Sequence, residues 1–316
     1  MKHKKIEVVP YDPNWPQQFE QEAEKLREAL GREVMAIHHI GSTAVPRLDA
    51  KRDLDTLLIV NNLNSSLLLQ DIGYTFKNEL NIPLRYFFSK NTAERKVNLH
   101  VCEADHSFVD IQLAFRDRLR NHEEDRAAYQ QLKYELVKDP EAGVKVCGRF
   151  PKYSLGKNTF IKKSLQAAKY DKLMVNFCLH DEEWEIAKYY RKKYFFGSDG
   201  LEDPYTWTFT HEDHKHFVLY QGVEIVGYAH IQLWPDQKAA IRIMVIDEAW
   251  RGRGYGSELM HLLEKWLKLH NYKSVHIERA STDCTFYTKL GFVPMAFNDP
   301  DNYESNPEDV AIGKVL

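Results

Sequence analysis

Residues 251–256 read Arg-Gly-Arg-Gly-Tyr-Gly, between the apolar run AIRIMVI at 240–246 and a helical pattern. The first backbone N–H groups of a helix have no acceptor inside it and sit at the positive end of its macrodipole, so such a junction suits an anion. Glycines let the backbone approach closely and take positive φ. Arg251 and Arg253 add charge and donors shaped for phosphate oxygens. The chemistry expected of 251–257 is therefore the holding of a pyrophosphate; the plainer alternative is a glycine-rich turn with solvated arginines. Glycines at 252, 254 and 256 do not fit the dinucleotide fingerprint G-x-G-x-x-G, and no Walker pattern ending in GK[ST] is present.

The elements around this loop follow from hydrophobic period. Three strands joined by turns at Gly222 and Pro235/Asp236 are expected over 214–246, a helix over 257–271, a strand over 274–278 and a short helix closed by Gly291. The earlier part of the chain reads differently. A helix is expected over 16–30, capped by Gly31, then strands at 33–40 and 54–60. An alternating strand follows at 96–104, and charged helices at 115–138 and 158–173. A length of 316 residues suits two domains, placed here at 1–170 and 171–316. The fold class expected is a two-domain α+β / α/β protein with mixed sheets.

Composition narrows the function classes. The chain is 43% hydrophobic and 28% charged with a net charge of -3, which is globular and gives no global pull toward nucleic acid or anionic membrane. The charged N-terminal stretch has no apolar run behind it, and no segment approaches ~18 uninterrupted apolar residues. A cytoplasmic protein without membrane or nucleic-acid partners is expected. Its four cysteines, Cys102, Cys147, Cys178 and Cys284, lack metal or disulfide spacing and are expected as free thiols.

Arg251, Gly254 and Gly256 match Q/R-x-x-G-x-G/A, and FYTKLGF at 286–292 matches an aromatic-Tyr-x-x-x-Gly-Phe segment. On this pair of motifs the stretch 172–316 resembles the Gcn5-related N-acetyltransferases (GNAT). The resemblance implies a GNAT fold and acetyl-CoA. Its pyrophosphate would lie on the amides of Arg253, Gly254 and Gly256, with Tyr255 and Ser257 beside them. Its pantetheine arm would pair with the backbone of Met244, Val245 and Ile246, where a bulge splays the strand. Tyr287 would be the general acid for the departing thiolate. The family's Asn-x-x-Ala is replaced by Ala280 and Asp283, and no motif assigns the base. Glu278, at a strand end, comes first, before His230 and His276. The acceptor would be a small-molecule or peptide amine, and acidic stretches near 199–207 and 298–309 favour a cationic one.

A second constellation lies at 39–60. A Gly41-Ser42 turn after a strand, then Asp53-x-Asp55 opening the next, is similar to the nucleotidyltransferase pattern, in which Gly-Ser amides hold a triphosphate and two carboxylates hold Mg²⁺. The closer resemblance of 5–170 is to the GrpB family, carried by VVPYDPNWP, IHHIGSTAVP, NLHVCE, LAFRDRLRNH and the Tyr153/Lys157 pair. It implies a nucleotidyltransferase-like fold without a reaction to transfer. Metal ligands would be Asp53 and Asp55, with His100 where a third carboxylate belongs and Glu103 and Asp110 less well placed. His39, Arg52, Arg116 and Lys157 would line an anion pocket, although a charge-paired helix face accounts for 115–126 equally well. Two alternatives stand beside an acetyltransferase with an appended nucleotide- or anion-binding module. One is a CoA and nucleotide sensor that turns nothing over; the other is nucleotidyl transfer by the first domain.

Overall fold

The computed structural model describes residues 6–146, 150–197, 202–279, 285–301 and 308–316, except the side chain of Arg279. The chain divides into two compact units, the first formed by 1–80 and 84–174, the second by 81–83 and 175–316. Among the described residues no helix is long and apolar enough to cross a membrane.

In the first unit, helix Trp15–Leu30 (α1) is followed by strands Val34–Ile40 (β1), Leu54–Val60 (β2), Thr75–Phe76 (β3), Tyr86–Asn91 (β4) and Lys96–Glu103 (β5). The sheet order is β1-β2-β5-β4-β3, with only β2 and β5 parallel. β2 is an interior strand, buried along nearly its whole length, as its run LDTLLIV requires. Gly31 caps α1 as expected, its N–H bonded to the Arg27 carbonyl.

The single helix expected over 115–138 is two, Ser107–Asn121 (α2) and Glu123–Leu136 (α3), broken where His122 turns extended. Arg118 and Arg120 fall in the last turn of α2, and Glu123, Glu124 and Asp125 in the first turn of α3. Each set complements its helix dipole, so the charges mark an end and a beginning where one continuous face was expected. A two-strand ribbon, Lys145–Val146 (β6) with Phe150–Pro151 (β7), precedes helices Lys152–Leu155 (α4) and Asn158–Ala167 (α5). The helix expected to run to 173 therefore stops six residues early.

The chain passes between units within strand Leu173–Phe177 (β8). Helix Asp181–Arg191 (α6) leads to the meander His214–Gln221 (β9), Glu224–Trp234 (β10) and Lys238–Ile246 (β11). Helix Tyr255–Leu269 (α7), strand Ser274–Arg279 (β12), helix Thr285–Lys289 (α8) and strands Val293–Pro294 (β13) and Val310–Val315 (β14) complete it. The seven strands lie in the order β13-β14-β12-β11-β10-β9-β8. α6 packs Ala187 and Tyr190 onto Val218, Tyr228, Ile243 and Val245 of the sheet.

Candidate functional site

In the second unit the sheet opens at its centre. β11 and β12 run parallel and pair only from Lys238/Ser274 to Ala240/His276, although both strands continue, to Ile246 and Arg279. On the other side of β11 the register slips by one residue: His230 faces Ile243 but Ile231 faces Ile241, so Arg242 is a bulge. The bend parts the strands from Ile241 onward, leaving the backbone of Met244, Val245 and Ile246 turned to a gap that β12 does not fill. The bulge lies two residues upstream of the segment on which it was expected.

The loop after β11 leads into α7. Gly252 and Gly254 take φ of 76° and 83°, and a Cβ on either would stand in open space, so backbone conformation is what requires glycine there. Gly254 is the N-cap, and the N–H groups of Tyr255, Gly256 and Ser257 begin the helix. Gly256 lets Phe286 approach; a Cβ there would lie 3.3 Å from its ring. Both arginines are exposed and also contact the loop's surroundings. Arg251 donates through Nε to the Ile246 carbonyl at 2.9 Å and lies over Tyr194, and Arg253 lies over Trp250. These contacts brace the loop, and the first N–H groups of the helix point away from it without intrahelical acceptors.

A cavity of about 240 Å³ lies beside the bulge, lined among others by Arg242, Ile243, His230 and Glu278. Glu278 is half-buried and has no counter-ion among the described residues. Behind the wall runs an ordered polar chain. The Thr208 carbonyl can only accept, so His216 carries its hydrogen on Nε2 (3.1 Å) and accepts at Nδ1 from the Tyr228 hydroxyl at 2.7 Å. Arg191 donates to that Tyr228 oxygen (3.3 Å) and to His230 Nδ1 (3.4 Å), so His230 donates from Nε2 to His214 Nδ1 at 2.7 Å. Burial holds all three rings neutral: His214 falls to about 4, His216 to about 3, and His230 well below the usual range. In this arrangement His230 has no lone pair left for a substrate proton. His276 is engaged by Ser274 at 2.9 Å and stacked on Trp234.

Tyr287 stands half-buried on α8, its ring edge-on to Phe286 (5.0 Å) and Phe292 (5.5 Å). Ala280, Asp283 and Cys284 lie outside the described residues, as does Cys147. Cys102 and Cys178 are buried free thiols.

In the first unit, Gly41 takes φ 69° and the Asp55 side chain packs on its backbone; a Cβ there would overlap that carboxylate. Asp55 Oδ1 accepts from Asn98 Nδ2 at 2.8 Å, the residue directly across the parallel ladder. Burial first, then the opposing Asn98 bond and Asp53, leave its carboxyl above the usual range. Asp53 precedes the strand and pairs with Lys51 at 2.8 Å. The expected Mg²⁺ pair is thus one carboxylate tied to an amide and another to an ammonium. Among the described residues no three His, Cys, Asp or Glu side chains could hold a metal. The residues do not fit Mg²⁺.

His100 does not join Asp55 either: its ring is bonded to Arg85 at 3.0 Å and packs on Phe87 and Phe108. The position opposite Asp55 belongs to Asn98; His100 shares its face one step along, opposite Leu57, so the register of the ladder and not the alternation decides between them. His39 bonds Thr43 at 3.0 Å and stacks on Phe19, and burial drops its pKa to about 3. Arg116 donates to the His39 carbonyl and pairs with Asp117, while Arg52 is exposed. These two arginines and His39 therefore form no anion pocket. Asp110 pairs with Lys172 on the surface, and Glu103 accepts from the Leu63 N–H.

Lys157 does lie near Asp55, its ammonium 4.6 Å from the Tyr153 ring; burial, opposed by Asp55, lowers it to about 8. Lys133, missed in the sequence, donates to the Asp49 carbonyl over Tyr129 and is lowered to about 7 by burial and by Lys157. Ser42 is hydrogen-bonded to Tyr129.

Residues 5–167 match the model of the GrpB protein family, and residues 179–292 that of the Acetyltransferase (GNAT) family. The UPF0157 protein YqkA of Bacillus subtilis is 32% identical over 170 residues, 52% of this chain and 48% of that protein. The chain thus spans about half the length of that curated relative. Among solved structures, GrpB from Enterococcus faecalis is 34% identical with a TM-score of 0.45, covering 51% of this chain and 96% of that one. A putative N-acetyltransferase from Lactobacillus plantarum is 19% identical with a TM-score of 0.38, covering 46% and 99%. The chain belongs to the GrpB protein family and joins to its GrpB portion a GNAT-type N-acetyltransferase domain.

Proposed function

We propose that the second unit transfers acetyl from acetyl-CoA to an amine in the opening between β11 and β12. The observation that carries this is the coincidence, at one sheet opening, of three features: a strand edge at Met244–Ile246 that β12 does not pair, a glycine-rich helix start at 254–257, and the Glu278 carboxylate, without an ion pair among the described residues. The amides of Gly254, Tyr255, Gly256 and Ser257 would hold the pyrophosphate. Acetyl-CoA supplies the activated thioester. The Glu278 carboxylate takes a proton from the acceptor ammonium, which frees the nitrogen lone pair for attack, and the Tyr287 hydroxyl gives its proton to the leaving sulfur. Steady-state kinetics test the roles. Glu278→Gln lowers kcat/KM by about 10²–10⁴-fold and Tyr287→Phe lowers kcat, while both keep wild-type acetyl-CoA affinity. Full activity in either variant contradicts its role.

For the first unit we infer a small anionic ligand, a nucleotide or another phosphate compound, bound without Mg²⁺ beside Lys157 and Ser42. Two lysines held below their ordinary pKa support it, since an anion would restore their charge. Calorimetric titration of ATP in chelator near pH 8, in two buffers of different ionisation enthalpy, should show binding with proton uptake, both lost in Lys157→Met. Binding without proton uptake, or none, contradicts it.

A further inference from the structure

The charges around the 240 Å³ cavity are already spent in an instructive way. Arg191 is gripped at two points by Asp203, at 2.5 and 2.9 Å, and sandwiched between Phe196 and Phe209. Arg242 is held by Asp299 at 2.5 Å and by Gln232 at 2.7 Å, and Gln232 in turn donates to Asp301 at 2.6 Å. With the histidines neutral, the carboxylates of Asp203, Asp299, Asp301 and Glu278 outnumber the guanidiniums of Arg191 and Arg242 among the described residues. Negative charge is in excess among the described residues, and each of these two arginines already has its acid. The open wall is aromatic: Tyr205 and Trp207 line the cavity and are 38% and 43% exposed. The volume is that of roughly eight waters at about 30 Å³ each, room for a small molecule.

We propose that this cavity takes a cationic arylalkylamine, a primary amine with an aromatic body and no adjacent carboxylate, and rejects the corresponding α-amino acid. The ammonium pairs with Glu278 and the ring lies against Tyr205 and Trp207. An α-carboxylate would find both guanidiniums engaged and would meet like charge, so the acids that hold the arginines act as the rejecting element. The inference rests on the acetyltransferase reading above.

The test compares acetyl transfer to phenethylamine, tyramine and tryptamine with transfer to phenylalanine, tyrosine and tryptophan. Acetyl-CoA binding is measured separately. The expected kcat/KM ratio favours each amine by about a hundredfold or more. Asp299→Asn, which loosens Arg242, narrows that ratio by about tenfold through a gain toward the amino acids. Trp207→Ala, a change at an exposed position, raises KM for the arylalkylamines with kcat retained. Amino acids accepted within about threefold of the amines overturn the proposal, as does transfer confined to amines without a ring. If acetyl-CoA binds and no arylalkylamine is acetylated, the acceptor assignment alone falls. If acetyl-CoA does not bind, the transferase reading falls and the acceptor assignment with it.

Discussion

The buried imidazoles of the second unit make its stability depend on pH in a defined direction. Unfolded, His214 and His216 titrate near 6.5; folded, near about 4 and about 3. Between those values the unfolded chain binds more protons, so the stabilisation is complete above pH 6.5 and is lost as pH falls toward 4. At about 1.4 kcal/mol per unit of displacement the loss is on the order of a few kcal/mol. Urea unfolding followed by tryptophan fluorescence should show the midpoint falling steadily below about pH 6.5, and less steeply in His214→Gln; a flat profile contradicts the account. At this scale the sequence made Glu278 and the loop glycines visible, because strand ends and glycine spacing are local properties. It hid the partners. Nothing local announces that Arg251 ties the loop to the Ile246 carbonyl, and Asp55 looks like a metal ligand until Asn98 is found across the ladder.

At the scale of elements, the turn after β1 is a tight local constraint in the first unit. Gly41→Ala puts a Cβ into the Asp55 carboxylate at a positive φ, and should cost about 1–3 kcal/mol. In a unit of this size that lowers the melting temperature by about 2–4 °C per kcal/mol, measured by scanning calorimetry; no change would show that the Asp55–Gly41 contact is dispensable. The meander β9 to β11 and helix α7 were legible because alternation and a 3.6-residue period run long there. The break at His122 was written in the order of charges, basic before acidic, which a search for amphipathic faces passes over. β4 follows a stretch of turns, and neither its run YFFSKN nor the VAIGKV of β14 alternates apolar with polar residues. The parting of β11 from β12 has no local signal either, since it depends on which strand each one pairs with and on a single extra residue, Arg242.

For the whole molecule, two motif sets pointed to two domains, and the chain does divide into two compact units, with the change falling inside β8 instead of in a polar linker. The acceptor cavity was not legible. It assembles residues from α6, the 205–208 turn and strands β9, β10, β11 and β12, so no stretch of sequence carries its pattern. The central claim is that a helix start and a parted sheet hold acetyl-CoA. Calorimetric titration of acetyl-CoA into the wild-type protein and into Gly254→Glu tests it most directly, because residue 254 stands in open space where the pyrophosphate should lie. Saturable binding to one site per chain in the wild type, weakened by about a hundredfold or more in the variant, is the predicted result. Equal affinity in both proteins, or no binding to the wild type, would contradict it.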